Sequence, residues 1–214
     1  MKFLGVIFSP RHMELKIVLA TLAVLISLPA ISVVVIASSG LSVVSSALVQ
    51  INPVTKLVEI FDPNGSKVTE LQLSTTWPAR GYVSSEFGAT EPFRSSTGKH
   101  TGIDIANLSN KPGDPVTPFA KGKVTAVHDI DDSLCGKYVK LDHGFNVTSL
   151  YCHLDSTAAI PGTDVSPGDV IGYMGTTGFS TGVHVHLGIF VYGIAVNPRT
   201  FLSGQPEPII TNGQ

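Results

Sequence analysis

Three histidine-bearing segments carry the chemistry of this chain: His100-x-x-x-Asp104, Leu150-Tyr151-Cys152-His153-Leu154, and His184-x-His186. Imidazole and carboxylate are the donors that a catalytic zinc ion takes, usually three from protein with the fourth position left for water. These segments supply a His₂Asp set and leave two further imidazoles to move protons beside it. A metal-dependent hydrolase is the chemistry they imply.

Strands must position these groups. Residues i and i+2 of a strand share a face, as do i and i+4. The run VHVHLGIF therefore projects His184 and His186 side by side, with Val185 on the buried side. His100 and Asp104 sit where a loop runs into a strand, with Gly102 between them, and are expected to converge on one ion. His153 ends the second strand of a hairpin turned at His143-Gly144-Phe145-Asn146. His12, His128 and His143 cluster with nothing and are assigned to surface or turn positions.

From Ala79 to about Leu202, short β-branched runs alternate with Gly/Pro turns such as Lys111-Pro112-Gly113-Asp114 and Ser166-Pro167-Gly168-Asp169. Strands are expected at 115–119, 122–130, 136–142, 147–153, 170–174 and 185–191. No long stretch carries a 3.6-residue apolar period. The pattern predicts an all-β, compact antiparallel domain of sandwich or barrel type.

In order along the chain, the segments GYVSSEFG (81–88), GKHTGIDIA (98–106), AKGKVTAV (120–127), GKYVKLDHG (136–144), LYCHL (150–154), VSPGDVIGYMGTTGFSTGVHVHL (165–187) and AVNPRTFL (195–202) resemble the LytM/lysostaphin-type zinc metallopeptidases, a peptidoglycan endopeptidase family. The resemblance implies a Zn²⁺ cofactor held by His100, Asp104 and His186. It implies that His153 and His184 are the two catalytic, non-ligand histidines. Val183 stands where the family usually has Pro or Ala, and Gly188 is a second departure, expected not to touch a ligand. The implied function is a zinc endopeptidase cutting peptide cross-links of bacterial peptidoglycan. The alternative is a catalytically silent wall-binding or regulatory module that activates other hydrolases. Glu86 or Glu91 is a candidate to occupy the metal's open position, residues 56–78 are a candidate cover for the cleft, and Arg94 is a candidate to line it.

The apolar run at 15–37 has Lys16 as its sole charge. It is long enough to cross a bilayer as a helix, a span of about 20 residues. Lys2, Arg11 and Lys16 precede or open it, and no Lys or Arg follows before Lys56. The positive-inside rule then leaves the N-terminus in the cytoplasm and exports the rest. The expected layout is a cytoplasmic 1–14, a transmembrane signal anchor 15–37, an extracytoplasmic stalk with a short β-hairpin 38–78, a peptidase domain 79–203 and a flexible tail 204–214. The expected partners are peptidoglycan, the lipid bilayer of the cytoplasmic membrane, and envelope or division machinery. Charged residues make up 14% of the chain and the net charge is −2. With no Lys/Arg cluster, nucleic acid is not an expected partner.

The only two cysteines are Cys135 and Cys152. Folding back the hairpin between them brings the two within a residue or two of facing each other. An exported chain permits a disulfide there, with two buried thiols as the other outcome.

Overall fold

The computed structural model describes residues 40–72, 75–90 and 98–207. The expected anchor 15–37 lies outside the described residues, as do Glu91, Arg94, His12 and residues 208–214. Among the described residues no helix is long and apolar enough to cross a membrane.

Turn chemistry divides the chain into thirteen described strands: β1 (Val49–Ile51), β2 (Val58–Phe61), β3 (Lys67–Leu71), β4 (Tyr82–Ser85), β5 (Ile103–Ala106), β6 (Pro115–Val116), β7 (Gly122–His128), β8 (Lys137–Asp142), β9 (Val147–Thr157), β10 (Asp164–Val165), β11 (Gly172–Met174), β12 (His184–Val191) and β13 (Ile194–Val196). A short 3₁₀ turn, Pro198–Thr200, follows, capped by the Asn197 side chain accepting from the Arg199 N–H. The β8–β9 turn falls at His143–Asn146, as the sequence indicates, and Gly144, Phe145 and Asn146 all take positive φ there.

All pairings are antiparallel, and the main path of the large sheet runs β10-β7-β8-β9-β12-β5-β4. Strands β11 and β6 branch from β9, and β13 pairs with β12. The expected all-β antiparallel domain, of sandwich or barrel type, is thus built on one connected ten-stranded sheet. It connects because β9, eleven residues long, is shared by β8, β12 and β11.

The core is built where strands bury both faces. In β12, Val185, Leu187, Ile189 and Val191 are fully buried, and Ile103, Ile105, Leu141, Tyr151 and Leu154 join the same cluster. Each such aliphatic side chain is worth about 1.5–3 kcal/mol by transfer. The Tyr151 hydroxyl reaches through this core to accept from the Phe119 N–H at 2.9 Å and from Ser149 Oγ at 3.2 Å. His143 joins the network, with Nδ1 2.8 Å from the Lys121 carbonyl and Nε2 2.8 Å from Ser149 Oγ. It is therefore a half-buried structural histidine, where the sequence suggested a surface or turn residue. His128 lies at the surface beside Asp132, 2.6 Å away, stacked on Tyr138.

The segment read as a stalk has its own structure. A helix is described over residues 40–48, and β1-β2-β3 form a separate three-stranded sheet turned at Asp62–Ser66. Leu48, Val49 and Ile60 belong to the main buried cluster, and the buried Ser45 Oγ accepts from the Asn197 N–H at 2.8 Å. The sequence of 38–55 is too small and polar to announce that packing. Of the segment read as a flexible tail, residues 204–207 are held to the domain: Gly81 N–H donates to the Glu207 carbonyl and Arg199 to the Gly204 carbonyl.

Candidate metal centre

His186 and Asp104 are direct cross-strand partners in the β12–β5 ladder, so their side chains share a face. His186 Nδ1 lies 2.9 Å from Asp104 Oδ1. His100 reaches the same oxygen from the loop before β5, its Nε2 3.0 Å from Asp104 Oδ1 and 2.9 Å from His186 Nδ1. The predicted convergence is present, but not by an extended strand. Four residues of strand span about 13 Å, too far for two side chains to meet one ion. The loop at Thr101–Gly102 folds His100 back over Asp104 instead.

Gly102 permits this fold. A Cβ there would stand 2.3 Å from the Leu187 carbonyl oxygen and 2.6 Å from His186 Cε1. Gly188 lines the other flank, where a Cβ would meet the Phe190 ring at 2.9 Å and His186 Nε2 at 3.6 Å. The departure at Gly188 therefore does border a site residue: the missing side chain makes room for Phe190 beside the His186 ring.

Hydrogen bonds orient the imidazoles. His100 Nδ1–H donates to the Glu86 carbonyl at 3.0 Å, with Ser85 Oγ 3.1 Å away. That tautomer turns the Nε2 lone pair toward Asp104 and His186. The Glu86 carboxylate is engaged elsewhere, 2.6 Å from Arg199 Nη2, so it does not enter the cluster. Burial alone would raise the Asp104 carboxyl; the close approach of the His100 and His186 imidazoles outweighs it and holds the group well below the usual carboxylate range.

Three electron-rich atoms thus face one another 2.9–3.0 Å apart in a buried spot. Such a grouping is repulsive unless a proton or a metal cation sits among them. Donors about 2.0–2.1 Å from a tetrahedral zinc stand about 3.3 Å apart, so the triangle need open by only a few tenths of an ångström. The His₂Asp donor set suits Zn²⁺ by both chemistry and size.

His184 and His153 stand beside the cluster. The His184 Nδ1–H donates to the Gly182 carbonyl at 2.9 Å, and its Nε2 lies 3.6 Å from Asp104 Oδ2. His153 Nδ1–H donates to the Thr177 carbonyl at 2.8 Å. The two rings lie 4.7 Å apart, centroid to centroid, and His153 is 6.2 Å from His186. Burial, reinforced by the neighbouring His184, pushes the His153 imidazole down to about 4.

His153 reaches this position through a bulge in β9. Lys137 pairs with Leu154 and Val139 with Tyr151, so Cys152 and His153 together oppose Tyr138. The extra residue is His153, at φ +62°. In regular alternation Cys152 and His153 would point to opposite faces. The bulge re-aims His153 toward the face that Cys152 shares with His186. The predicted bond between Cys135 and Cys152 is formed, with Cα atoms 5.0 Å apart.

A cleft of about 170 Å³ opens here, lined by His100, His153 and His186 together with Leu134, Phe179 and Phe190. A larger cavity of about 680 Å³, lined in part by Trp77, Arg80 and Glu207, contains none of these histidines. All five site residues named from sequence are brought together. The acceptors that aim them, the carbonyls of Glu86, Thr177 and Gly182, are main-chain groups and leave no mark on side-chain identity.

An antiparallel β domain with a buried His-Asp-His cluster and two adjacent imidazoles is the kind of scaffold metallopeptidases use. Comparison with known proteins gives the family: residues 98–198 match the model of peptidase family M23, and the chain carries an M23 peptidase domain of the LytM type. A crystal structure of a peptidase M23 from Pseudomonas aeruginosa is 33% identical with a TM-score of 0.51, covering 61% of this chain and 50% of that one. A DD-carboxypeptidase/endopeptidase, Mpg, of Neisseria meningitidis is 36% identical over 126 residues, 58% of this chain and 28% of that protein. The murein hydrolase activator NlpD of Salmonella dublin is 31% identical over 153 residues, 70% of this chain and 38% of that protein. The chain therefore spans less than two fifths of the length of these curated relatives.

Proposed function

We propose that the protein is a zinc-dependent endopeptidase that hydrolyses peptide cross-links of bacterial peptidoglycan. The observation that carries this is the convergence of His100, Asp104 and His186 with His184 and His153 close beside them. His100, Asp104 and His186 are the proposed metal ligands. A zinc ion held by them supplies Lewis acidity, polarising a carbonyl and acidifying a water. The protein's own contribution is proton handling. The Gly182 and Thr177 carbonyls fix Nδ1–H on His184 and His153, leaving each Nε2 able to take a proton from the attacking water. Once protonated, the same nitrogens donate to a developing oxyanion or return the proton to the leaving amine.

A peptidoglycan substrate is supported by the name of a Vibrio cholerae relative, the peptidoglycan DD-endopeptidase ShyA, which is 29% identical over 141 residues. We place the enzyme as a single-pass protein of the cytoplasmic membrane, anchored through 15–37, with the peptidase domain 79–203 outside. A disulfide suits that oxidising side, and an enzyme tethered near the membrane suits wall remodelling with envelope or division machinery. The Salmonella relative, named as an activator, favours the second reading of a regulatory module.

Zinc content and hydrolysis of cross-linked peptidoglycan by the full-length chain separate the two. The expected result is one zinc with activity in the wild type, zinc without activity in His184→Ala, and neither in His100→Ala. A zinc-loaded wild type that cuts no cross-link yet stimulates a separate wall hydrolase refutes the enzyme and establishes the module.

A further inference from the structure

We propose that the Cys135–Cys152 disulfide is a positioning device for His153: it locks the clamp that aims this imidazole into the cleft, and so controls turnover without holding the metal. This rests on the proton-handling role proposed for His153 above.

The clamp has two halves, and Cys135 belongs to one. Its carbonyl accepts the His153 N–H at 2.9 Å, while its side chain is bonded to the residue before His153. The backbone of the bulged residue is thus gripped on both sides by a single partner. That grip matters because φ of +62° is costly for a residue with a side chain. Without it, β9 can relax to regular alternation, which turns His153 away from the face it shares with His184 and His186.

The other half is the loop that holds the ring. The imidazole donates to the Thr177 carbonyl, and residues 177–179 are themselves held by the segment around Cys135. Lys137 N–H donates to Thr177 Oγ1 at 3.0 Å, Gly178 N–H to Asp131 Oδ1 at 2.6 Å, and Phe179 N–H to the Leu134 carbonyl at 2.9 Å. Gly136 lies so close that a Cβ on it would stand 2.4 Å from the Thr177 carbonyl carbon. Freeing Cys135 therefore loosens the ring's acceptor and the ring's backbone together.

The bond is poorly placed to act as a general staple. Its loop closes a hairpin that the β8–β9 ladder already closes from Lys137–Leu154 to Asp142–Thr148. The proposed metal ligands come from β5, β12 and the loop before β5, none of which the bond joins. Its loss should therefore act on His153 and spare the cluster.

The test uses the full-length, zinc-loaded chain in three forms: oxidised, reduced in the folded state by a water-soluble phosphine, and the double variant Cys135→Ala/Cys152→Ala. Reduction consumes one phosphine and one water, giving a phosphine oxide and two thiols, which thiol titration counts. The alanine variant has no thiols to compete for zinc. Expected for both altered forms are kcat lower by roughly 10- to 100-fold, the scale of a misplaced reacting group, with KM within about twofold and zinc content unchanged. In ¹⁵N-histidine spectra the oxidised chain shows His153 as the single Nδ1–H tautomer, and the altered forms show a tautomer mixture. Unchanged kcat and an unchanged His153 tautomer overturn the proposal. So does loss of zinc or of the folded state, which would make the bond a staple of the whole domain. If the oxidised chain cuts no cross-link, the enzyme reading has failed, and the tautomer shift alone still decides whether the disulfide aims His153.

Discussion

Gly102→Ala is the sharpest test of how the cluster is built. A methyl at this position has no room: 2.3 Å to the Leu187 carbonyl oxygen, 2.6 Å to His186 Cε1 and 2.7 Å to His186 Nε2. Ordinary contact between a methyl carbon and these atoms begins at about 3.2–3.5 Å, so each must retreat by about an ångström. The Leu187 carbonyl belongs to β12 and is fixed between β5 and β9. The His186 ring is the part that can move, and it carries the Nδ1 that faces Asp104. We expect a stability loss of about 1–3 kcal/mol, the usual cost of overpacking. Zinc affinity should fall about 10- to 100-fold, the cost of disturbing a group that orients a ligand. Gly188→Ala should do much less, because there the crowding atom is the partly exposed Phe190 ring, which can swing. Zinc competition against a chromophoric chelator, with thermal melts of the metal-free proteins, measures both effects. Wild-type affinity in Gly102→Ala would refute the idea that this glycine makes room for His186.

Three further outcomes follow from groups away from the cleft. Burial lowers the His143 imidazole below its ordinary value of 6.5, overcoming the Lys121 carbonyl and Asp142, which raise it. The unfolded chain then takes up this proton first. The His143 share of stability is complete above about pH 6.5 and declines as pH falls toward the depressed folded value. Tm measured from pH 8 to 5 should fall less steeply in His143→Gln than in the wild type. Tyr151→Phe leaves the Phe119 N–H without its buried acceptor and should cost about 1–3 kcal/mol in urea unfolding, with zinc content unchanged. Ser45→Ala removes the acceptor of the Asn197 N–H; a loss of about 1–3 kcal/mol would show that the 40–48 helix stabilises the domain, and a neutral result would show that it does not.

The six strands expected between 115 and 191 and the five site residues were legible because both are written in residue type. Alternation in VHVHLGIF gives the shared face of His184 and His186, and the Asn- and Gly-bearing turn at 143–146 gives the β8–β9 hairpin. What stayed hidden depends on backbone geometry. An extended His100–Asp104 segment cannot bring its ends together; the fold-back over Gly102 does, and only folding brings up the Leu187 carbonyl that demands a glycine there. The bulge at Cys152–His153 has no glycine or asparagine to announce it, so simple alternation puts His153 on the wrong face. The β2–β3 hairpin was legible from its Asp62-Pro63-Asn64-Gly65 turn, but the packing of the 40–48 helix and β1 escaped for a different reason. Their buried set, Ser45, Leu48 and Val49, is too sparse to stand out within an uncharged Ser/Val stretch.

The two functional readings differ in what the molecule must keep. A module that only binds the wall needs a cleft and a stable sheet; it has no use for an imidazole held in a costly backbone conformation. Cys152 already lies on the cleft face as the register partner of His186, so β9 could cross behind the cluster with regular pairing and the same core. Instead the strand carries an extra residue at positive φ, a main-chain acceptor for that residue's ring and a covalent tie to the residue before it. Each of these features acts on the His153 ring, and none joins two elements of the proposed metal cluster. Strain of this kind persists only where the surrounding structure over-determines it, and here the surroundings do so at the one point where a second proton carrier would stand beside His184. The investment in aiming His153 is what an enzyme requires and a passive module does not, which is why the hydrolytic reading takes precedence over the activator reading suggested by one of the relatives.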